Sequence, residues 1–232
     1  MPMTTPAEAP GASRRAFLRL SGLGLAAVGL TYHDLTMATA MAQGMGATTT
    51  GGAVDLGGGD TGVLNYAYAL EQLEAAFYAT VLDSPYAGIS AQERDLLADI
   101  RDHEVAHREF LKAALGAGRI PDLAVNFSSV NFADRTSVLT TARTFEDLGV
   151  AAYNGGGAAI SDPNYLLLAG KIVSVEARHA ATIRTLLNPG DGSFAGSDVI
   201  NPLGLDRALK PSEVLPAVAP FVATPISATQ LP

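Results

Sequence analysis

Apolar residues recur every three or four positions in four segments of the chain, which is the spacing of an amphipathic α-helix. Asp60, Ser90 and Asp162 precede three of these segments and are candidate capping residues. The predicted helices run from about Asp60 to Leu82, Ser90 to Gly116, Thr136 to Ile160 and Pro163 to Leu187. The pattern therefore predicts an all-α protein with one four-helix bundle over residues 60–188.

The link between the second and third predicted helices is long and has no helical periodicity. It covers residues 117–135, whereas the other two links are short turns. We expect a crossover that returns the third helix parallel to the second. Gly155, Gly156 and Gly157 fall near the end of the third helix. Either the helix breaks there or another backbone packs very close to it.

The first 42 residues are typical of an export signal. Ser13 to Leu18, with Arg14 and Arg15, resemble the twin-arginine motif, and a small-residue site lies at 40–42. The alternative is a membrane anchor, but the apolar run 20–30 is short for a bilayer span and contains glycine. We expect cleavage, passage through the twin-arginine export machinery, a periplasmic or extracellular location, and no membrane span in the mature protein.

The segments that flank the predicted bundle are poor in helical signals. Residues 43–59 are mostly Gly, Thr and Ala and are predicted to form a flexible leader. Residues 189–232 are rich in Pro and Gly and are predicted to form a tail packed on the bundle. One short helix is expected from Pro211.

The net charge and the absence of cysteine exclude several partners and reactive groups. The formal charge of −8 argues against nucleic acid or an anionic membrane surface as a partner. The chain has no cysteine, which excludes thiol catalysis, iron–sulfur clusters and disulfides. Carboxylates and imidazoles remain as the strong metal ligands. Alanine-rich helix faces are compatible with a homodimer.

A pattern of carboxylate, tyrosine and histidine occurs twice along the predicted helices. A glutamate followed three residues later by a histidine lies on one helical face, and an earlier glutamate precedes each such pair by 33 or 30 residues. A tyrosine follows each earlier glutamate by seven residues. The first copy consists of Glu71, Tyr78, Glu104 and His107, and the second of Glu146, Tyr153, Glu176 and His179.

Four inward-facing glutamates would need countercharge, which two divalent cations supply, and the two imidazoles add further ligands. Glu74 is an alternative to Glu71 as a ligand, one turn further along the helix. His103 is predicted to be solvated or to contact a ligand rather than bind metal itself. We expect the outer nitrogens of the ligand histidines to meet Asp, Glu or backbone carbonyl groups, and Asp102 and Asp147 are available.

Residues 60–188 resemble the ferritin-like diiron carboxylate proteins. Leu70 to Tyr78 and Val175 to His179 are most similar to the ferritin-like domain of desiccation-related proteins and their exported bacterial relatives. The resemblance implies two Fe or Mn ions, with Glu104 and Glu176 as bridging carboxylates. The implied ligands are Glu71, Glu104, His107, Glu146, Glu176 and His179.

The resemblance also implies reaction with oxygen or hydrogen peroxide and a role in the stress response. The activity would be that of a ferroxidase or of a peroxidase or catalase. The alternative is a non-catalytic metal-binding protein or a structural protein of desiccation or envelope stress. Tyr78 and Tyr153 are candidates for a hydrogen bond to the centre or a radical sink, and plain core packing is the alternative.

Overall fold

The computed structural model describes residues 49–50 and 52–232, so the predicted signal over residues 1–42 lies outside the described part of the chain. Five α-helices and three short strands are found there. The helices are α1 (Gly59–Asp83), α2 (Ala91–Leu115), α3 (Arg135–Gly157), α4 (Pro163–Leu187) and α5 (Pro211–Val218). The strands are β1 (Thr49–Thr50), β2 (Ala53–Asp55) and β3 (Ile226–Ser227). The predicted all-α four-helix architecture is confirmed.

Side-chain caps fix the starts of α2 and α4. Ser90 Oγ accepts a hydrogen bond from the backbone N–H of Glu93 at 3.1 Å, as the sequence predicts for α2. Asp162 caps α4 by accepting from the N–H of Asn164 at 2.8 Å. The prediction that Asp60 caps α1 is wrong. Its carboxylate instead accepts from the N–H groups of Ser161 and Asp162, at 2.7 and 2.9 Å, which joins the start of α1 to the start of α4.

The four long helices form two hairpins, α1 with α2 and α3 with α4. Hydrogen bonds join Tyr78 to Glu146 and Tyr153 to Glu71, so increasing residue numbers on α1 meet decreasing numbers on α3. These helices are therefore antiparallel. Because the short turn between α1 and α2 reverses the chain, α3 runs parallel to α2, as the predicted crossover requires.

Two buried amides on α1 hold the crossover against the bundle. Asn65 donates to the carbonyl oxygens of Leu56 and Gly118, and its own oxygen accepts from the N–H of Ile120. The side-chain oxygen of Gln72 accepts from the N–H of Leu123 at 2.7 Å. These contacts give the irregular backbone of the crossover the partners that a helix would have supplied internally.

The crossover also completes an aromatic core. Phe77 on α1 packs edge-on against Phe145 of α3, with ring centroids 5.2 Å apart. Phe127 and Phe132 from the crossover contact the same Phe77 ring. The long link is therefore part of the hydrophobic core rather than a loose loop.

The predicted flexible leader is wrong for the residues that can be described. β2 pairs antiparallel with β1 and parallel with β3, and Val54 lies opposite Ile226. Leu56 is completely buried. One of the two partner strands of β2, β3, is more than 170 residues away in sequence (226 − 54), so local composition gave no signal for that pairing.

The tail packs across α3 at the glycine triplet. The N–H of Leu209 donates to the carbonyl oxygen of Ala151 at 2.9 Å. A Cβ added to Gly155 would lie 1.9 Å from the carbonyl oxygen of Leu209. Close backbone packing therefore explains Gly155, and α3 ends two residues later at Gly157, before the predicted Ile160. Among the described helices, none is long and apolar enough to cross a bilayer.

Candidate metal centre

Six carboxylate and imidazole side chains converge in the middle of the bundle. Each of the four long helices contributes, because the helix hairpins place their inward faces against one another. The four glutamates are completely buried, and the side chains of His179 and His107 are 5 % and 13 % exposed. The converging residues are Glu71 from α1, Glu104 and His107 from α2, Glu146 from α3, and Glu176 and His179 from α4.

The first group of ligand atoms, which we call the His107 half-site, surrounds Nδ1 of His107. This nitrogen lies 2.7 Å from Oε1 of Glu176, 3.5 Å from Oε2 of Glu71 and 3.7 Å from Oε2 of Glu104. Each of these four residues offers one ligand atom, and these atoms lie within 4.8 Å of one another. They bring three carboxylate oxygens and one imidazole nitrogen to a single point.

The second group, the His179 half-site, is built in the same way from the opposite side. Nδ1 of His179 lies 2.7 Å from Oε1 of Glu104, 3.4 Å from Oε2 of Glu176 and 3.6 Å from Oε2 of Glu146. Glu104 and Glu176 each give one oxygen to each half-site. Their two carboxylates therefore span the two half-sites, while Glu71 and Glu146 belong to one half-site each.

Within the part of the chain that the structure describes, the atoms that face the half-sites form no hydrogen bond of good geometry, although Nδ1 of each histidine lies 2.7 Å from a carboxylate oxygen. Buried polar atoms are normally satisfied, and leaving one unpaired costs about 1–3 kcal/mol. The unpaired atoms are Oε2 of Glu71, both carboxylate oxygens of Glu104, Nδ1 of His107, Oε2 of Glu146, both carboxylate oxygens of Glu176, and Nδ1 of His179. A metal ion in each half-site would satisfy all eight, and this oxygen and imidazole donor set fits iron or manganese.

Two tyrosines hold the outer oxygens of the terminal glutamates. The hydroxyl of Tyr153 on α3 donates to Oε1 of Glu71 on α1 at 2.5 Å, and that of Tyr78 on α1 donates to Oε1 of Glu146 on α3 at 2.5 Å. Burial, and then the neighbouring carboxylate, raise the pKa of both tyrosines well above the usual value, so both hydroxyls stay protonated. Of the alternatives for these tyrosines, the structure shows the hydrogen bond.

Glu74 is a fifth buried carboxyl group beside the centre. It is not one of the converging residues, so Glu71 rather than Glu74 faces His107. Its Oε1 lies 3.2 Å from the position that a Cβ would take on Gly149 of α3. Burial, followed by repulsion from Glu104 and Glu146, raises the pKa of Glu74 well above the usual value. The glycine leaves room for this carboxyl group.

The outer nitrogen of His179 meets a third histidine. Nε2 of His179 lies 3.0 Å from Nδ1 of His103, and the two rings are nearly parallel, with 8° between their planes. The expectation of an Asp, Glu or carbonyl partner for His179 is wrong. Asp102 pairs with Arg101, and Asp147 pairs with the buried Arg184.

The electrostatics of the metal-free centre reflect burial and mutual repulsion of carboxylates. Burial raises the pKa of Glu104, and repulsion from Glu176 adds to the rise. Burial also raises the pKa of Glu146, to about 7. Burial opposes charge on His107, but contacts with Glu104, Glu176 and Glu71 outweigh it and raise its pKa to about 12. Protons therefore occupy positions that a metal ion would have to take.

One comparison with known proteins bears on this cluster. Residues 59–189 match the family described as the ferritin-like domain, which is more than half of the 232-residue chain. The chain belongs to the ferritin-like domain family. No curated protein gives a significant match.

The ferritin-like domain covers all four long helices and every residue of the cluster. The structure brings together all six residues that the sequence analysis assigned as ligands, and metal binding by them stays a prediction. The contact between His103 and His179 could not be located from sequence, because the two residues are 76 positions apart. The crosswise pairing of each tyrosine with the glutamate of the other hairpin was also missed.

Proposed function

We propose that this ferritin-like protein binds two iron or manganese ions in its centre and reacts with oxygen or hydrogen peroxide. The observation that carries the proposal is the set of eight buried ligand atoms that converge on two points and form no hydrogen bond of good geometry within the described part of the chain. Four carboxylates in an apolar interior need countercharge, and two divalent ions would supply it. The atoms divide into two groups of four that share two glutamates.

Each residue has a defined task in this proposal. Glu71 and His107 would hold one ion, Glu146 and His179 the other, and Glu104 and Glu176 would bridge them. When bound, the two ions would supply the electrons that reduce oxygen or hydrogen peroxide. Bridging carboxylates can adjust to a change in metal charge by shifting an oxygen. The hydrogen bonds from Tyr78 and Tyr153 keep the terminal carboxylates from turning away.

We also propose that the protein is exported by the twin-arginine route and acts against oxidative or desiccation stress outside the cytoplasm. Two features of the sequence support this proposal: the Arg14–Arg15 motif, and the similarity of residues 70–78 and 175–179 to exported, desiccation-related ferritin-like proteins. The twin-arginine route carries folded proteins, which suits a protein that acquires its metal before export.

The first test is metal content, measured by plasma mass spectrometry on protein exported by its own signal. We expect about two iron or manganese atoms per chain, and loss of both in a Glu104→Gln/Glu176→Gln double variant, which removes the shared ligands. Glu109→Gln is the matched control, because Glu109 lies on the same helix with a side chain that is 49 % exposed. This control should keep the full metal content.

Turnover then separates an enzyme from a binding protein. Repeated consumption of hydrogen peroxide, or of Fe(II) with oxygen, by metal-loaded protein indicates an oxidoreductase, and a single stoichiometric oxidation indicates metal binding alone. A native protein that contains no metal, takes none up when it is added and is as stable as the double variant would overturn the proposal. The bundle would then have a structural role.

A further inference from the structure

The two half-sites differ in what the outer nitrogen of the histidine meets. Their ligand sets match atom for atom, and each terminal glutamate has its own tyrosine donor at the same distance. His179 has His103 at its outer nitrogen. For Nε2 of His107, no hydrogen-bond partner is found among residues 49–50 and 52–232. The repeat also breaks in sequence, because the residue before Glu104 is His103, whereas the residue before Glu176 is Val175.

The contact sets the tautomer of His179. A metal ion in the His179 half-site needs the lone pair of Nδ1, which faces Glu104 and Glu176. The ring proton of neutral His179 must then lie on Nε2, and it can be donated to Nδ1 of His103. Donation of this kind fixes the ring orientation and makes the metal-facing nitrogen a better ligand.

Among the described residues, the hydrogen-bonding contact found for His103 is the one to His179. His103 precedes Glu104 on α2 and lies at a solvent-exposed position. Its nearly parallel orientation to the His179 ring keeps Nδ1 in line with Nε2 at 3.0 Å. No metal ligand atom is supplied by His103, so its influence passes through His179.

We infer that His103 is a positioning residue that makes the His179 half-site bind metal more tightly than the His107 half-site. The inference rests on the proposed function. Metal would therefore load in order, filling the His179 half-site first and the His107 half-site second. The second ion would exchange more readily than the first.

Single half-site variants provide the test, because Glu71 and Glu146 each belong to one half-site. Glu71→Gln impairs the His107 half-site, so its tightest binding reports the His179 half-site. Glu146→Gln does the reverse. His103→Leu is added to each variant, and Co(II) affinity of the metal-free protein is measured by absorbance and calorimetry. We expect His103→Leu to weaken Co(II) binding by about 10–100-fold in the Glu71→Gln background and by less than about twofold in the Glu146→Gln background.

A conservative variant distinguishes positioning from a general loss of structure. His103→Asn places an acceptor oxygen near the position of Nδ1 and should restore most of the lost affinity. Circular dichroism of each variant checks that the bundle is folded. Equal effects of His103→Leu in both backgrounds, or no effect in either, would overturn the inference while leaving the metal centre intact. Failure of unmodified protein to bind Co(II) would overturn the proposed function as well.

Discussion

At the scale of single residues, Glu74 is a buried carboxyl group that is not a candidate metal ligand, and its burial lowers the stability of the folded protein. It is 3 % exposed, and the opposing Gly149 provides the space for its carboxyl group. In the two copies of the repeat, the position three residues after the terminal glutamate is Glu74 on α1 and Gly149 on α3. Two glutamates facing each other there would repel and would overfill the interior.

We expect Glu74→Gln to stabilise the metal-free protein at neutral pH. Burial raises the pKa of Glu74 in the folded protein, so the folded protein keeps this proton at neutral pH. The unfolded chain releases the same proton above the ordinary pKa of glutamate. The free energy of unfolding therefore falls as pH rises above the ordinary pKa of glutamate. The amide of the Glu74→Gln variant does not titrate, so the variant does not lose this stability. Thermal unfolding should show Tm higher by about 2–4 °C at pH 7, equivalent to about 1 kcal/mol, and no difference near pH 4.

Glu109→Gln again serves as the control, because it makes the same substitution at an exposed position, where the carboxylate is not buried. Its Tm should be unchanged within about 1 °C at either pH. An equal gain in both variants would mean that the effect comes from net charge and not from burial of Glu74. A loss of stability in Glu74→Gln at pH 7 would mean that its carboxyl group is ionised and paired.

At the scale of elements, two glycines near the end of α3 have different roles. Gly155 is needed for close packing against the tail, whereas Gly157 is the last residue of the helix. We expect Gly155→Ala to destabilise the protein by about 1–3 kcal/mol, because its methyl group would meet the backbone of Leu209 and push the tail away. Gly157→Ala is the matched control, since its nearest contact is an ordinary 3.5 Å from Leu166. Urea unfolding of both variants measures the difference.

The control should be neutral or stabilising by up to about 1 kcal/mol, because alanine favours a helix more than glycine does. If both alanine variants were tolerated equally, the tail would not lie against α3 at Leu209. The tail has a second attachment in Arg184, whose guanidinium group joins Asp147 of α3 to Asp198 of the tail. This pair of contacts holds the tail along the α3–α4 hairpin.

The elements show where sequence reasoning works and where it fails. Helices α1 to α4 were predictable, because their inward faces repeat with helical spacing and Ser90 and Asp162 cap locally. Asp60 looked like a cap, but its partners are backbone groups about 100 residues away. Short strands such as β2 depend on pairing with a distant segment, so no local pattern indicates them.

At the scale of the whole molecule, metal uptake is coupled to protons. Burial raises the pKa of Glu146 to about 7 and keeps that of Glu104 raised as well, so the metal-free centre holds protons at neutral pH. A metal ion must displace them, and more must be displaced as pH falls. We expect the affinity for Co(II) or Mn(II) to fall by about tenfold or more per pH unit between about pH 7 and 5.

Calorimetry at several pH values in buffers of different ionisation enthalpy measures both the affinity and the protons released. Circular dichroism at each pH shows whether the metal-free bundle is still folded, which separates proton competition from unfolding. Constant affinity between about pH 7 and 5, without proton release, would mean that the carboxylates are already ionised in the metal-free centre.

The centre itself was more predictable than its surroundings. Two ligands three residues apart on one helix, used twice, indicate a shared inward face, and the spacing to Glu71 and Glu146 supplies the remaining positions. Contacts between residues on different helices produce no regular spacing in the sequence. The bond from Tyr153 to Glu71 and the contact of His103 with His179 depend on how the hairpins pack, and only coordinates place them.

Because the hairpins share ligands, neither hairpin alone contains a complete half-site. The His107 half-site takes three residues from the α1–α2 hairpin and Glu176 from the other, and the His179 half-site takes three from the α3–α4 hairpin and Glu104 from the first. Each tyrosine likewise supports a glutamate of the opposite hairpin. A single hairpin therefore lacks one of the four ligand residues of its own half-site. Two copies of such a hairpin, associated with two-fold symmetry, would supply the missing ligand to each other.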